Sequence, residues 1–373
     1  MLPIAPARRR LLDWYARNGR HDLPWRLTRD PYRVLVSEFM LQQTTVGTVA
    51  PYYRRFLKRF PTVRALARGT LGRVLEIWAG LGYYARARHL HEAARKIAKD
   101  YGGRVPESIE SLRSLPGVGR YTAGAVRSLA FGKPAPILDG NVTRVLSRLL
   151  ALRKPVKSPA AQAVLWGTAD EFSSTARARD VNLALFDLGA GVCRPRDPDC
   201  PACPLRGLCR AHRLGLENSL PDTGRAAARR AVGWWVAVVL KEGRALIALR
   251  KPRGLFGGLW EFPSMEAVPG RSPVEALEAE ARRTGMKIRA AERLPGLSHT
   301  LTHRELTVHP FLCRWVEGRP RPGAAHLSLR WVELSRLRRL AVSNLTKKIV
   351  DSMPGRTPRP AWLSSTEKPF PLS

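Results

Sequence analysis

From about Leu11 to Arg213 the apolar residues recur at helical spacing, and beyond about Arg230 the period shortens to that of strands. Asp30-Pro31 opens one helix as N-cap and first-turn proline, with Leu35, Phe39 and Met40 on its buried face. Leu71–Leu81, His89–Tyr101, Tyr121–Phe131, Val142–Leu152 and Val181–Leu188 read as further helices, and Gly132 and Gly189 as C-caps. A stretch rich in Gly, Ala and Arg from Gly215 to Arg230 then breaks the pattern. Past it, Trp234–Leu240 and Ala245–Leu249 flank Lys241-Glu-Gly-Arg244 as a hairpin. Ser272-Pro-Val-Glu275 is a capping box that opens one helix, and strands follow at Leu306–Trp315 and near Leu329–Val332. The pattern predicts a multi-domain chain: an all-α domain over residues 1–214, a linker over 215–230, a small α+β domain over 231–353 and a loose proline-rich tail over 354–373.

Charge narrows the partner. Lys and Arg number 64 against 30 Asp and Glu, a net charge of +34 spread along the whole chain, while 44% of residues are hydrophobic. This is a folded basic protein, for which a polyanion is the natural partner. No run of eighteen apolar residues exists, and Met1–Arg10 lacks the apolar core of a signal peptide, so nucleic acid outranks a membrane surface.

Four of the five cysteines, Cys193, Cys200, Cys203 and Cys209, fall within seventeen residues with the spacing C-x6-C-x2-C-x5-C. A chain this long buries a core without disulfide staples, so the group reads as a metal site in a reducing, cytoplasmic setting. Zinc suits four thiolates, but structural zinc sites usually pair two C-x2-4-C knuckles. Here only the central pair is a knuckle, and the spread outer cysteines favour one [4Fe–4S] cluster, with one thiolate per iron.

Two glycines set the next motif. Ser111-Leu-Arg-Ser-Leu-Pro-Gly-Val-Gly-Arg-Tyr-Thr-Ala-Gly-Ala-Val126 reads as helix, tight turn, helix. Gly117, Val118 and Gly119 would aim backbone N–H groups outward at a helix start, an arrangement that accepts a phosphate without reading sequence. An ordinary αα-corner is the plain alternative. Asp139, in Ile137-Leu-Asp-Gly-Asn-Val142, is by residue type alone best read as a helix N-cap. Glu38 sits between apolar neighbours, one turn before Gln42. Burial there would raise its pKa as a general acid requires, and a salt-bridged structural role is equally compatible with the residues alone.

Together these pieces resemble the helix-hairpin-helix DNA glycosylase superfamily, and more narrowly the adenine DNA glycosylases of the MutY family. The resemblance rests on Leu23-Pro-Trp-Arg26, Val36-Ser-Glu-Phe-Met-Leu-Gln-Gln-Thr44, Trp78-Ala-Gly-Leu-Gly-Tyr-Tyr-Ala-Arg-Ala-Arg88, the hairpin, Leu138-Asp-Gly-Asn141 and the cysteine loop. The second domain is similar to the family's Nudix-like module through Gly258-Leu-Trp-Glu-Phe-Pro263 and His299-Thr-Leu-Thr-His303. The resemblance implies a monomer acting on double-stranded DNA with adenine opposite 8-oxoguanine or guanine, in a bacterial cytoplasm at the nucleoid. It places the acid that protonates the leaving adenine at Glu38 and the carboxylate that stabilises the cationic sugar at Asp139, with Tyr121 and Asn141 orienting them. Gln42 and Tyr83 match side chains that wedge into the duplex when the base is flipped out. Trp25, Arg26 and Asp187 match the base pocket, and Leu301, Thr302 and His303 the lesion reader.

The chain departs from that pattern in places. Tyr121 stands where endonuclease III-type relatives carry a Schiff-base lysine, so base removal without strand cleavage is expected. Leu301 replaces an aromatic, and Leu183 replaces a polar residue near the adenine, a contact for which Asp187 would compensate. Arg282 and Arg283 stand where an active Nudix hydrolase needs paired acids. The competing readings are an endonuclease III-like glycosylase/lyase, a non-enzymatic iron–sulfur DNA-binding protein and a nucleotide pyrophosphohydrolase.

Overall fold

A computed structural model describes residues 2–224, 228–252, 254–337 and 339–353, so the tail expected from Pro354 lies outside the described residues. The chain divides into two compact units, one of residues 1–69 and 86–226, the other of residues 70–85 with those from 227 onward. The stretch Thr70–Ala85 thus groups with the strand-rich unit, although it lies in the middle of the helical sequence. No helix among the described residues is long and apolar enough to cross a membrane.

The helical unit begins with α1 (Ile4–Asn18), α2 (Pro31–Leu41), α3 (Val46–Arg59) and α4 (Val63–Arg68). After α5 (Leu71–Trp78), which belongs to the other unit, come α6 (Ala85–Asp100), α7 (Ile109–Arg113), α8 (Arg120–Leu129), α9 (Gly140–Leu150), α10 (Pro159–Ser173) and α11 (Ala178–Asp187). A short α12 (Arg210–Arg213) follows the cysteine loop. Helix α2 starts where it does because the Asp30 carboxylate accepts the N–H groups of Tyr32 and Arg33, and Pro31 needs no partner. Beyond α8, Gly132 adopts a left-handed φ of 69° and the N–H groups of Gly132 and Lys133 close back on Ser128 and Arg127, as a glycine C-cap should. Gly189 does not act as a C-cap. Helix α11 runs on into a wider π-type turn over Leu188–Val192, and a side chain at Gly189 would lie 2.7 Å from the Cβ of Asn141. Close approach, not a left-handed turn, requires glycine there.

The second unit holds β1 (Arg230–Lys241), β2 (Arg244–Arg250), β3 (Trp260–Glu261), β4 (Ser264–Glu266), α13 (Pro273–Arg283), β5 (Met286–Arg293), β6 (Leu297–Thr300), β7 (Arg304–Gly318) and β8 (His326–Glu333), then α14 (Leu334–Leu337) and α15 (Asn344–Asp351). Among the described residues these eight strands form one sheet in the order β3-β2-β1-β7-β5, with β4 on β1, β6 on β7 and β8 on β2. Central β1 pairs parallel with β7 and is apolar along its length because both faces are covered. Trp234, Val236 and Val238 enter one core with Phe262 and Leu306; Trp235, Ala237 and Val239 enter the other with Leu277 and Phe311. The expected β1–β2 hairpin closes at Lys241 and Arg244 through left-handed Glu242 and Gly243.

Candidate active site

Glu38 lies on the buried face of α2, only 3% exposed, and the Tyr121 hydroxyl of α8 donates to its Oε2 at 2.8 Å. Burial pushes the Glu38 carboxyl up to about 7; nearby Asp139 adds to this, and the Tyr121 hydrogen bond and Arg26 only partly offset it. Such a group holds its proton near neutral pH.

Asp139 is both an N-cap and a half-buried carboxyl. Its Oδ1 accepts the Val142 N–H at 2.7 Å at the start of α9, and its Oδ2 accepts the Asn141 side-chain amide at 3.2 Å. Burial raises its pKa against the pull of these donors. The orientation of Asn141 is dictated from behind, because Arg144 donates to Asn141 Oδ1 at 2.9 Å and so turns the amide nitrogen toward Asp139. Arg144 also donates to the carbonyls of Gly189 and Cys193, at 2.7 and 2.8 Å. The cysteine loop and the Asp139 carboxyl therefore share one hydrogen-bonded chain.

Behind the site, Arg26 clamps Asp187 with two hydrogen bonds of 2.6 and 2.8 Å. Arg20 adds its backbone N–H at 2.9 Å and its Nε at 2.6 Å. Burial opposes ionisation of Asp187, but the hydrogen bond and charge of Arg26, with those of Arg20, hold its pKa down. The carboxylate is fully engaged, so Asp187 anchors Arg26 and has no oxygen to spare for the base; it does not compensate for the apolar side chain at Leu183. Leu183 itself is buried. Trp25 packs edge-on against Tyr53, ring centres 5.6 Å apart.

The hairpin forms as the glycines require. Gly117 takes φ 75°, and a side chain there would lie 2.6 Å from His89 and 2.9 Å from Phe39; Val118 donates back to Leu115, and Gly119 caps α8. Gln42, at the end of α2, reaches Thr122 at 3.4 Å. In the second unit, Leu301, Thr302 and His303 form the turn between β6 and β7; Leu301 is half-buried against the sheet core, while Thr302 and His303 are exposed. Thr302 Oγ1 donates to the Tyr83 hydroxyl at 3.1 Å, joining the expected lesion reader to one expected wedge. On α13, Arg283 pairs with Glu280, and Glu278 accepts the Ala290 N–H.

Cys193, Cys200, Cys203 and Cys209 are half-buried around one cavity, and Cys313 is buried elsewhere. Arg148 staples the loop: it donates to the carbonyls of Arg194, Pro195 and Leu220 and to Cys193 Sγ at 3.3 Å. Among the described residues a tight trio of ligand atoms, within 4.8 Å of one another, is formed by Cys200, His212 and Glu217. The four thiols line one cavity, and an all-thiolate donor set of four suits a four-iron cube with one thiolate per iron.

Residues 36–167 match the HhH-GPD superfamily of base excision DNA repair proteins, and residues 235–352 match the NUDIX domain. Adenine DNA glycosylase of Rattus norvegicus is 36% identical over 93% of this chain and 77% of its own length; that of Homo sapiens is 36% identical over 93% and 74%. The chain belongs to the adenine DNA glycosylase family. As in that family, it is a DNA glycosylase of base excision repair, with a helical helix-hairpin-helix domain followed by a Nudix-like α+β domain. A solved thermostable thymine-DNA glycosylase is 34% identical with a TM-score of 0.51, but it covers only 56% of this chain while 95% of its own length is matched. Its likeness stops short of the second domain, which the adenine DNA glycosylases share. Sequence reasoning missed Arg20 and Arg144. Arg144 carried a weak signal, one turn after Asn141 on the same helix face; Arg20 carried none.

Proposed function

We propose that this adenine DNA glycosylase family member removes adenine paired with 8-oxoguanine, and with guanine, without cutting the strand. The observation that carries the reading is a buried carboxyl, Glu38, whose pKa burial raises to about 7, near a half-buried carboxyl, Asp139, each held by its own hydrogen-bonding partner. Glu38 donates its proton to the flipped adenine as the C–N bond lengthens, and Tyr121 holds Oε2 so that Oε1 faces the base. Asp139, ionised in the reacting complex, stabilises the positive charge that develops on the sugar; Val142 and Asn141 keep its oxygens in place. The Nε of Arg26, buried and without a partner, remains free to donate to the base. Tyr121 offers a phenol where a lyase needs an amine, so the abasic strand is left whole.

Cys193, Cys200, Cys203 and Cys209 would hold a [4Fe–4S] cluster, which when bound cross-links the loop and supplies a one-electron couple. Thr302 and His303 read the base opposite adenine, with Tyr83 steadied by Thr302. The Nudix-like domain serves recognition and not nucleotide hydrolysis, since Arg282 and Arg283 offer no ligand to Mg²⁺.

Incubation with duplexes carrying A:8-oxoguanine, A:G, A:T, G:T and thymine glycol, scored with and without alkali, tests the reading. The expected result is adenine release from the first two, with breaks appearing only after alkali. Thymine release from G:T, or nicking that keeps pace with base loss, would overturn it.

A further inference from the structure

The side chains around Glu38 differ in what they can offer a flipped base. Glu38, holding its proton, offers a donor at Oε1, because Oε2 already accepts the Tyr121 hydroxyl. Arg26 is a donor in every state. Its Nη atoms bind Asp187 and the Arg20 carbonyl, which leaves the buried Nε with no partner. The acceptors nearby are taken. Asp187 receives Arg20 and Arg26 on both oxygens, Asn141 Oδ1 receives Arg144, and Asp139 receives Val142 and Asn141.

Helix α11 supplies the wall beside them. Arg179, Leu183 and Asp187 follow one another at helical steps and so share one face. Both ends of that row hold Arg26: the Arg179 guanidinium donates to the Arg26 carbonyl at 2.7 Å, and Asp187 binds the Arg26 guanidinium. Leu183, only 6% exposed, therefore faces Arg26 between the two. Phe186 brings its ring centre to 6.5 Å from that of Tyr121. An apolar wall thus stands beside two donors, with no spare acceptor among these side chains.

Adenine and hypoxanthine, the base left when water replaces the amine of adenine, differ along one edge. Adenine has an amine at C6 and a bare N1; hypoxanthine has a carbonyl at C6 and a proton on N1. Both keep N7, an acceptor open to the proton of Glu38. A lone donor such as Arg26 Nε finds one acceptor on either base, N1 of adenine or the carbonyl of hypoxanthine, and each base leaves one donor against the apolar wall. The penalties match. A site that hydrogen-bonds its substrate's polar group rejects an analogue lacking it by about 10⁴-fold or more, whereas an apolar pocket rejects a misfit by only about 10²-fold. We propose that this enzyme also excises hypoxanthine from DNA, at a rate comparable with that for adenine, an inference that rests on the adenine-excision reading above. The chemistry is the same. Glu38 protonates N7, the C1′–N9 bond breaks with its electron pair going to the base, water forms the new bond at C1′, and its proton passes to Asp139.

The test uses two duplexes identical but for adenine or hypoxanthine opposite 8-oxoguanine. Each is incubated with excess full-length protein, and the free base released in a single turnover is quantified by chromatography. Hypoxanthine release within about tenfold of adenine release is expected, because the two bases meet the same donors and the same wall. A wider gap in favour of adenine would overturn the inference and leave the adenine reading intact; release of neither base would overturn both. Glu38→Gln should abolish the two activities together, and hypoxanthine release that survives it would belong to another agent and count against the inference. Leu183→Glu sets an acceptor beside Arg26 that binds the amine of adenine and repels the carbonyl of hypoxanthine. With adenine release retained, the ratio of adenine to hypoxanthine release should rise at least tenfold in that variant, and an unchanged ratio would overturn the assignment of the wall. The wild-type comparison decides the matter without it should the variant fail to fold.

Discussion

Replacing Glu38 with Gln should destroy excision and make the protein more stable, but only above about pH 5, where the unfolded carboxyl ionises and the folded one does not. The folded carboxyl titrates at about 7 against an ordinary 4.5. Between those values the folded state binds more protons than the unfolded one, so stability falls as pH rises through the window and stays lower above it. Once Glu38 is ionised in the fold the cost is about 3 kcal/mol. Glutamine keeps the shape and still accepts the Tyr121 hydroxyl, though more weakly than a carboxylate, a loss of about 1 kcal/mol. The net gain at pH 8 is then about 2 kcal/mol, or about 4 to 8 °C in Tm for a unit of this size. At pH 5 the two proteins should melt at nearly the same temperature. The assay is thermal and urea unfolding of both proteins at pH 5 and pH 8, with single-turnover adenine release alongside. Wild-type release should fall about tenfold per pH unit above 7 as the acid ionises. A Glu38→Gln protein no more stable than wild type at pH 8, or one releasing adenine within a few fold of it, would refute a buried, protonated Glu38.

Tyr121→Lys should gain strand cleavage and a borohydride-trapped complex at some expense in excision; wild type should show little of either, and gel analysis before alkali decides. Changing any one of Cys193, Cys200, Cys203 or Cys209 to Ser should lose the visible absorbance and weaken DNA binding, whereas Cys313→Ser should do neither; about one zinc and no iron by elemental analysis would remove the cluster but not the glycosylase. His303→Ala should narrow the ratio of excision rates between A:8-oxoguanine and A:G, because a site that hydrogen-bonds one base form penalises the form lacking the partner. An unchanged ratio would take the reader's role away from the β6–β7 turn.

Local chemistry was legible in the sequence wherever it depended on neighbours along the chain. Asp30-Pro31 announces the start of α2, Gly132 the end of α8, and Lys241-Glu-Gly-Arg244 the first hairpin, because caps and turns are settled within four residues. The cysteine spacing and the two hairpin glycines were legible for the same reason. What escaped was contact between distant segments. The Arg20–Asp187 and Arg144–Cys193 bonds span 167 and 49 residues, and no period or motif encodes them. Gly189 looked like a helix end because glycine serves both as a cap and as a gap, and only the position of Asn141 tells which. Strands β3, β4 and β6 are two to four residues long, too short for alternation to register.

The grouping of Thr70–Ala85 with the sheet has a consequence for how such a protein can be inherited. Leu75 lies against Gly258, the Tyr84 hydroxyl donates to the Val342 carbonyl, and Asn344 reaches the Gly80 carbonyl. A recombination event joining this chain's first 220 residues to a relative's Nudix-like domain would set a native α5 and its loop against a foreign surface. Tyr83 and Thr302, the proposed wedge and reader, would be parted in the same stroke. Crossovers at the linker should therefore yield poor chimeras even though the linker is the natural place to cut, and productive exchanges must carry residues 70–85 along with the sheet. The gene offers one seam at the linker, where the protein is divided at three points along its chain.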